Sequence, residues 1–236
     1  ITNDFVISAK RLKEIGFDAV ELHMGHGYLL SQFLSPWTNK RKDAYGGSIE
    51  NRARFPLMVF DRVQKEVGKD FPIIVKLNLS DGFKGGFSLE ESAYVCKELE
   101  KRNCSLVVLS GGFTSKTPFY LMRGAVPLKG MIKNGTSWAE KLTMALFGPM
   151  IIKKYAFDEN FFLNQAKEIR KQVSLPLAYL GGVDSKNGIE KIINEGFEFI
   201  ALARPLIHDS NFLLKLKSGE ITKTVCNRCN ECIVEM

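Results

Sequence analysis

The sequence has no run of eighteen or more apolar residues, which excludes a helix built to cross a bilayer. It does not open on a basic stretch followed by a short apolar one, so no secretion leader is expected. No segment is low in complexity, and no repeat longer than a strand–helix unit stands out. Blocks of like charge are also missing. The 33 Lys+Arg against 26 Asp+Glu leave a net charge of +7. The lysines are spread along the whole chain, which fits a solvated surface better than a nucleic-acid-binding face. The five cysteines are an odd number, a poor basis for a disulfide framework and a better match to a reducing compartment. A cytoplasmic location is therefore expected. What is present is ordinary for a globular protein: 236 residues, 45% hydrophobic and 25% charged. Histidine is scarce. Of the three in the chain, two lie in HMGHGY, three residues apart at the end of a strand-like run.

The order of elements sets the fold class. Residues 2–15 follow the helical period through Phe5, Val6, Ala9, Leu12 and Ile15, with Gly16 as the stop. FDAVELH, residues 17–23, reads as a strand. Residues 48–67 read as a helix with Ser48 as N-cap and Gly68 at its end, and Pro56 is expected to kink or divide it. PIIVKLNL, residues 72–79, is an apolar β-branched strand. Ser88 to Glu91 form a capping box before the next helix. CSLVVLSGG, residues 104–112, is a third strand, and an irregular segment follows to about Ala156. A helix over roughly 158–172, a strand LPLAYLGG at 175–182, a helix at 185–195 and a strand FEFIALARP at 197–205 complete the pattern. Strict alternation with apolar strands predicts βα units on a parallel sheet. Polar and glycine residues gather just past strand ends: His23, Ser80-Asp81, Gly111-Gly112, Gly181-Gly182 and Ala203-Arg204. Ligands bind at that edge in parallel α/β folds. Five strands are too few to close an eight-stranded barrel, although a complete one takes only roughly 250 residues.

The stretch FDAVELHMGHGYLLSQFLSPWTNKRKDAYGGSIENRARF, residues 17–55, resembles the signature of the old yellow enzyme family, the FMN-dependent NAD(P)H:flavin oxidoreductases and ene-reductases. The branch that includes bacterial 2,4-dienoyl-CoA reductase is the most similar. The resemblance runs through His-x-x-His-Gly-Tyr, Gln-Phe-Leu-Ser-Pro and Arg-x-Asp-x-Tyr-Gly-Gly-Ser-x-Glu-Asn-Arg. It continues through the later strands to Ala-Arg-Pro and a cysteine cluster. It implies a TIM (β/α)8 barrel of which this chain holds about five C-terminal units, forming one domain over 1–236 with a cysteine-rich tail at 222–236. It implies FMN as cofactor with NADH or NADPH as reductant, and hydride transfer through the flavin to an activated alkene. His23 and His26 resemble the pair that holds the substrate's carbonyl or nitro oxygen, two N–H donors facing a developing enolate. Tyr28 resembles the proton donor. Lys76 stands where the family usually has an arginine beside the flavin's N1 and O2; it keeps the charge and loses the fork. Gly181, Gly182, Ala203 and Arg204 resemble the phosphate site.

Plainer readings stand beside these. An isolated His-x-x-His pair is more often structural, or one half of a zinc site. Tyr28 taken alone is a core or rim tyrosine, and Gly181-Gly182 an ordinary turn. Asp43, Tyr45, Asn51 and Arg52 are expected to serve loop structure. Cys226, Cys229 and Cys232 lie where larger family members hold a [4Fe–4S] cluster, but the second gap is one residue short of that pattern and the sequence shows no fourth ligand. No metal is expected; zinc on three cysteines and an outside ligand stays open beside a simple thiol cluster. The expected partner is a small enone-type substrate, with no nucleic acid and no membrane, and a homo-oligomer is compatible with the sequence. The reading from another class is a truncated, flavin-free relative that acts as a binding or structural protein.

Overall fold

Val20, Leu22 and Met24 are buried, whereas Glu21 and His23 between them are not. This alternation gives strand β1 (Val20–Met24) one face toward the helices and one toward the inside of a curved sheet. β2 (Ile73–Asn78), β3 (Leu106–Ser110), β4 (Leu177–Leu180) and β5 (Phe199–Ala201) follow. In the computed structural model, which describes residues 1–234, all five are parallel and adjacent in chain order. β1 and β5 do not pair with each other among the described residues, so the sheet is an open arc of a barrel. The register places His23 beside Lys76, Lys76 beside Val108, Asn78 beside Ser110, and Leu180 beside Ala201 on the inner face.

The outer face is covered by helices α1 (Thr2–Glu14), α3 (Ile49–Val67), α4 (Leu89–Lys101), α7 (Leu163–Arg170) and α8 (Lys186–Asn194). Val59, Phe60, Val63, Val95, Leu99, Ile169 and Ile192 from these helices meet Leu22, Val75, Leu77, Val107, Leu109 and Leu177 of the sheet in one continuous core. Short helix α2 (Leu29–Leu34) follows β1 directly and packs on α3. α3 runs unbroken through the buried Pro56, contrary to a division there. The helix lies over the sheet, and its packing outweighs the one lost backbone bond. The capping box at Ser88 is present: its Oγ accepts from the Glu91 amide at 3.3 Å, and Glu91 Oε2 accepts from the Ser88 amide at 3.1 Å. Ser88→Ala is expected to cost about 1 kcal/mol, read as a lowered urea midpoint.

The segment after β3 is not irregular throughout. It holds α5 (Leu128–Lys133) and α6 (Trp138–Ile151). Past β5 the chain enters helix immediately, at α9 (Arg204–His208), which shortens the strand expected there to three residues. α10 (Phe212–Ser218) and the short α11 (Glu231–Val234) complete the described chain. Arg52, in the first turn of α3, is buried, and its guanidinium donates to the Leu34 and Gly47 carbonyls and pairs with Glu91. Asn51 Nδ2 reaches the Gly46 carbonyl at 3.1 Å. Both residues serve the loop, as expected of them.

Candidate active site

The end of β1 turns sharply. His26 and Gly27 both have positive φ, at 60° and 81°. Gly25 lies so close to Asn78 that a Cβ there would stand 2.7 Å from Oδ1. A non-glycine residue in the left-handed region is a small strain, sustained here by its partners. The His26 amide donates to Asn78 Oδ1 at 3.1 Å, and the His26 carbonyl accepts from the Thr114 amide at 3.0 Å and hydroxyl at 2.8 Å. Asn78 in turn donates to Gly112 O at 2.7 Å and to buried Asp81 at 3.0 Å. The histidine turn is thereby tied to the loops after β2 and β3.

These bonds bring the three expected catalytic side chains together. The rings of His23 and His26 lie 4.9 Å apart, and that of Tyr28 lies 5.2 Å from His23. His26 Nε2 is 2.7 Å from Ser110 Oγ, a hydroxyl that donates to one ring tautomer and accepts from the other. His26 and Tyr28 bound a cavity of about 230 Å³ whose remaining walls come from Gly111 to Thr114 and from Thr117, Pro118, Leu121 and Met122. His23 does not itself bound this cavity but keeps its ring beside those of both His26 and Tyr28. Tyr28 is the N-cap residue of α2 and is 56% exposed, a rim position. Among the described residues no protein group bonds its hydroxyl.

Burial lowers the pKa of both imidazoles. For His23, Lys76 adds to the lowering while Glu21 opposes it. For His26, His23 and Lys76 add to the effect of burial and bring it to about 4. Both rings are neutral at pH 7. The unfolded chain, with histidine at its usual 6.5, then binds this proton more readily than the folded one. Stability from this group is complete above about pH 6.5 and is lost as pH falls toward 4, by about 3 kcal/mol in all. His26→Gln should therefore flatten the fall in urea midpoint between pH 6.5 and pH 4 relative to the parent.

The five expected cofactor residues also converge. Lys76, Gly181, Gly182, Ala203 and Arg204 all line one second cavity of about 350 Å³. Leu121 and Met122 line both cavities, so the two are neighbours. Gly182 has φ +77°, and a Cβ on it would meet the Phe161 ring at 2.6 Å. The turn is held from below by Tyr179, whose hydroxyl donates to Gly181 O at 2.8 Å and accepts from the Phe162 amide at 3.1 Å. Lys76 is not free: its Nζ lies 2.7 Å from Glu21 Oε1. Arg204 uses only Nη1, which donates to Arg123 O at 2.7 Å and Asn230 Oδ1 at 2.8 Å. No carboxylate pairs with it among the described residues, and burial lowers its pKa. A half-buried guanidinium with no counter-ion, beside a glycine turn, is suited to an anion.

Known proteins resemble this chain over nearly its whole length. The family model described as the NADH:flavin oxidoreductase / NADH oxidase family matches residues 1–111. A 4,4'-dithiodibutanoate disulfide reductase of Rhodococcus erythropolis is 36% identical across 99% of this chain and 58% of its own length. The chain belongs to the NADH:flavin oxidoreductase / NADH oxidase family. An NADH oxidase of Thermoanaerobacter brockii is 34% identical across 98% of the chain and 31% of its length. The structure of a 2-naphthoyl-CoA reductase in complex with 2-naphthoyl-CoA matches with a TM-score of 0.76 and 26% identity, over 98% of this chain and 31% of that one. The chain thus spans from about a third to three fifths of the length of such relatives. FMN with NADH or NADPH is the cofactor pair of the family. The open arc of strands is the part of a barrel expected from the sequence.

Ser110, Asn78, Tyr179 and Asn230 also shape the site, and no motif singled them out. The signal available for Asn78 and Ser110 was position alone, at the last residues of two predicted strands.

Proposed function

We propose that this chain forms the flavin and substrate site of an FMN-dependent oxidoreductase that passes a hydride from NAD(P)H to an activated alkene such as an α,β-unsaturated carbonyl compound. The observation that carries this reading is the pair of adjoining cavities. One is bounded by the five cofactor-type residues, the other by His26 and Tyr28, with Leu121 and Met122 common to both. FMN fits the larger cavity in donor chemistry. Arg204 brings an uncompensated positive charge and unused N–H donors, the Gly181-Gly182 turn brings small residues, and Lys76 brings an ammonium on the inner face of β2. When bound, the flavin supplies hydride transfer. Arg204 would hold its phosphate and Lys76 would face the ring that gains negative charge. Neutral His23 and His26 would hold the substrate's oxygen and strengthen their hold as charge grows there. Tyr28 would supply the proton.

Arg204→Ala is expected to weaken FMN binding about ten- to a hundredfold, the loss of one charge-assisted contact. Flavin fluorescence quenching on titration measures it. Asn230→Ala removes one of the guanidinium's two protein partners and leaves its charge, so it should weaken FMN far less. Equal weakening in the two variants would move the phosphate elsewhere.

A flavin-free relative acting in binding or as a structural protein is the second reading. Its support is the open sheet, which leaves Phe199 on the inner face of β5 half exposed. Failure of FMN to bind at any concentration, with the fold intact by circular dichroism, would decide for it.

A further inference from the structure

We infer that Lys116 is a positioning residue, whose ammonium clamps onto Trp37 and Phe83 and so holds in place the loop that walls the substrate cavity. The inference rests on the reading of that cavity given above. Lys116 belongs to the turn after β3. Its neighbours Phe113, Thr114, Thr117 and Pro118 bound the cavity together with His26 and Tyr28, while Lys116 itself does not. Its Nζ lies 3.3 Å from the centroid of the Trp37 ring and 4.6 Å from that of Phe83. An ammonium within about 6 Å of an aromatic face is attracted by the ring quadrupole. Here two rings share one cation, and they stand edge to face, 5.8 Å apart with their planes at 85°. Among the described residues no carboxylate pairs with Lys116, so the rings are its partners.

The clamp joins three loops. Trp37 follows α2, Phe83 follows β2, and Lys116 follows β3. Phe83 also meets Phe113 edge to face at 5.9 Å. The Phe113 ring packs so closely on Gly27 that a Cβ there would stand 2.6 Å from it. Contact therefore runs without a break from Trp37 to the histidine turn. The inner end of the β3 turn is fixed by hydrogen bonds. The Thr114 amide donates to His26 O at 3.0 Å, and the Thr117 hydroxyl donates to Asp81 O at 2.7 Å and accepts from the Phe113 amide at 2.8 Å. The outer end, Ser115 and Lys116, is exposed, and no hydrogen bond joins it to another loop among the described residues. There the ammonium is the tie. Lys40 also faces Trp37, but at 5.8 Å, and its ammonium already donates to Pro36 O at 2.7 Å. A wall out of place lowers the apparent affinity for whatever the cavity binds, by the fraction of molecules in which it is displaced.

The test is hydrogen exchange of single amides by NMR on the full chain. The Thr114 amide, bonded to His26 O, and the Thr117 amide, bonded to Phe113 O, report opening of the wall. Lys116→Met keeps the stem and removes the charge, and should quicken both roughly three- to thirtyfold, the range of one cation–π contact. Lys116→Arg keeps a cation and should exchange at the parent rate. Lys40→Met should also match the parent. The Ile189 amide of α8, bonded to Ser185 O, should be unchanged in every variant, which separates opening of the wall from loss of global stability. With FMN loaded and 2-cyclohexenone as the probe, Lys116→Met should raise KM about threefold and change kcat by less than about twofold, because the wall serves ground state and transition state alike. Exchange unchanged in Lys116→Met, or quickened equally in Lys116→Arg, overturns the clamp. Quickened exchange with an unchanged KM overturns its bearing on the cavity. A chain that binds no FMN counts against the proposed function alone, and the exchange rates then still decide whether Lys116 holds the wall.

Discussion

His26→Ala is expected to slow enone reduction by the flavin-loaded protein about a hundredfold or more, the typical value of one oxyanion donor. Reduction of the flavin by NADH should change little. The expectation rests on charge state and position. Burial keeps the ring neutral, with a pKa of about 4, so it acts as an N–H donor and not as an acid at working pH. Its Nε2 is engaged by Ser110 Oγ at 2.7 Å. If the serine donates there, Nδ1 carries the proton and is the donor left for substrate. Ser110→Ala should then reduce the rate by a smaller factor than His26→Ala, since it frees the tautomer without removing the ring. His23→Ala with His26→Ala should cost less than the product of the single losses, as residues acting on one oxygen are not additive. Stopped-flow traces of the two half-reactions provide the numbers. Unchanged enone reduction in His26→Ala would remove the histidine from the proposed role.

Much of this site was legible because parallel strands covered on their outer face read as apolar runs, and the ends of those runs are where a sheet presents its ligands. His23, Lys76, Gly181 and Arg204 were each visible as a departure from such a run. Ser110 was not, because its role depends on standing opposite Asn78 in the register and on reaching a histidine 84 residues earlier in the chain. The Lys76–Glu21 pair was hidden for the same reason: Glu21 belongs to a neighbouring strand and carries no motif of its own. α6 was missed on physical grounds. A helix apolar on nearly all sides has no helical period to detect, and Gly148-Pro149 within it reads as a break. The last strand was overestimated because Ala203-Arg204-Pro205 continues an apolar run while its backbone is already turning into α9. Proline is tolerated in a first helical turn, so it did not mark the boundary.

Tyr28→Phe is expected to separate the two halves of the reaction. NADH should reduce the bound flavin at the parent rate, while reoxidation by an enone slows about a hundredfold to ten-thousandfold, the usual range for loss of a positioned general acid. The reason lies in where the phenol sits. Tyr28 begins α2, its ring stands 5.2 Å from His23, and it borders the same cavity as His26. No protein group bonds its hydroxyl among the described residues, so the group is held by its ring and stays available to a bound substrate. Removing the oxygen therefore leaves packing almost untouched, and a change in stability should be small. Only the second half-reaction needs a proton at carbon, and only there should the deficit show. A substrate whose reduced product carries its negative charge on oxygen and takes no proton at carbon, such as a quinone, should be nearly indifferent to the substitution. Equal slowing with quinone and enone would mean that Tyr28 positions the substrate and does not deliver the proton. Slowed reduction by NADH with intact enone turnover would place its contribution on the nicotinamide side.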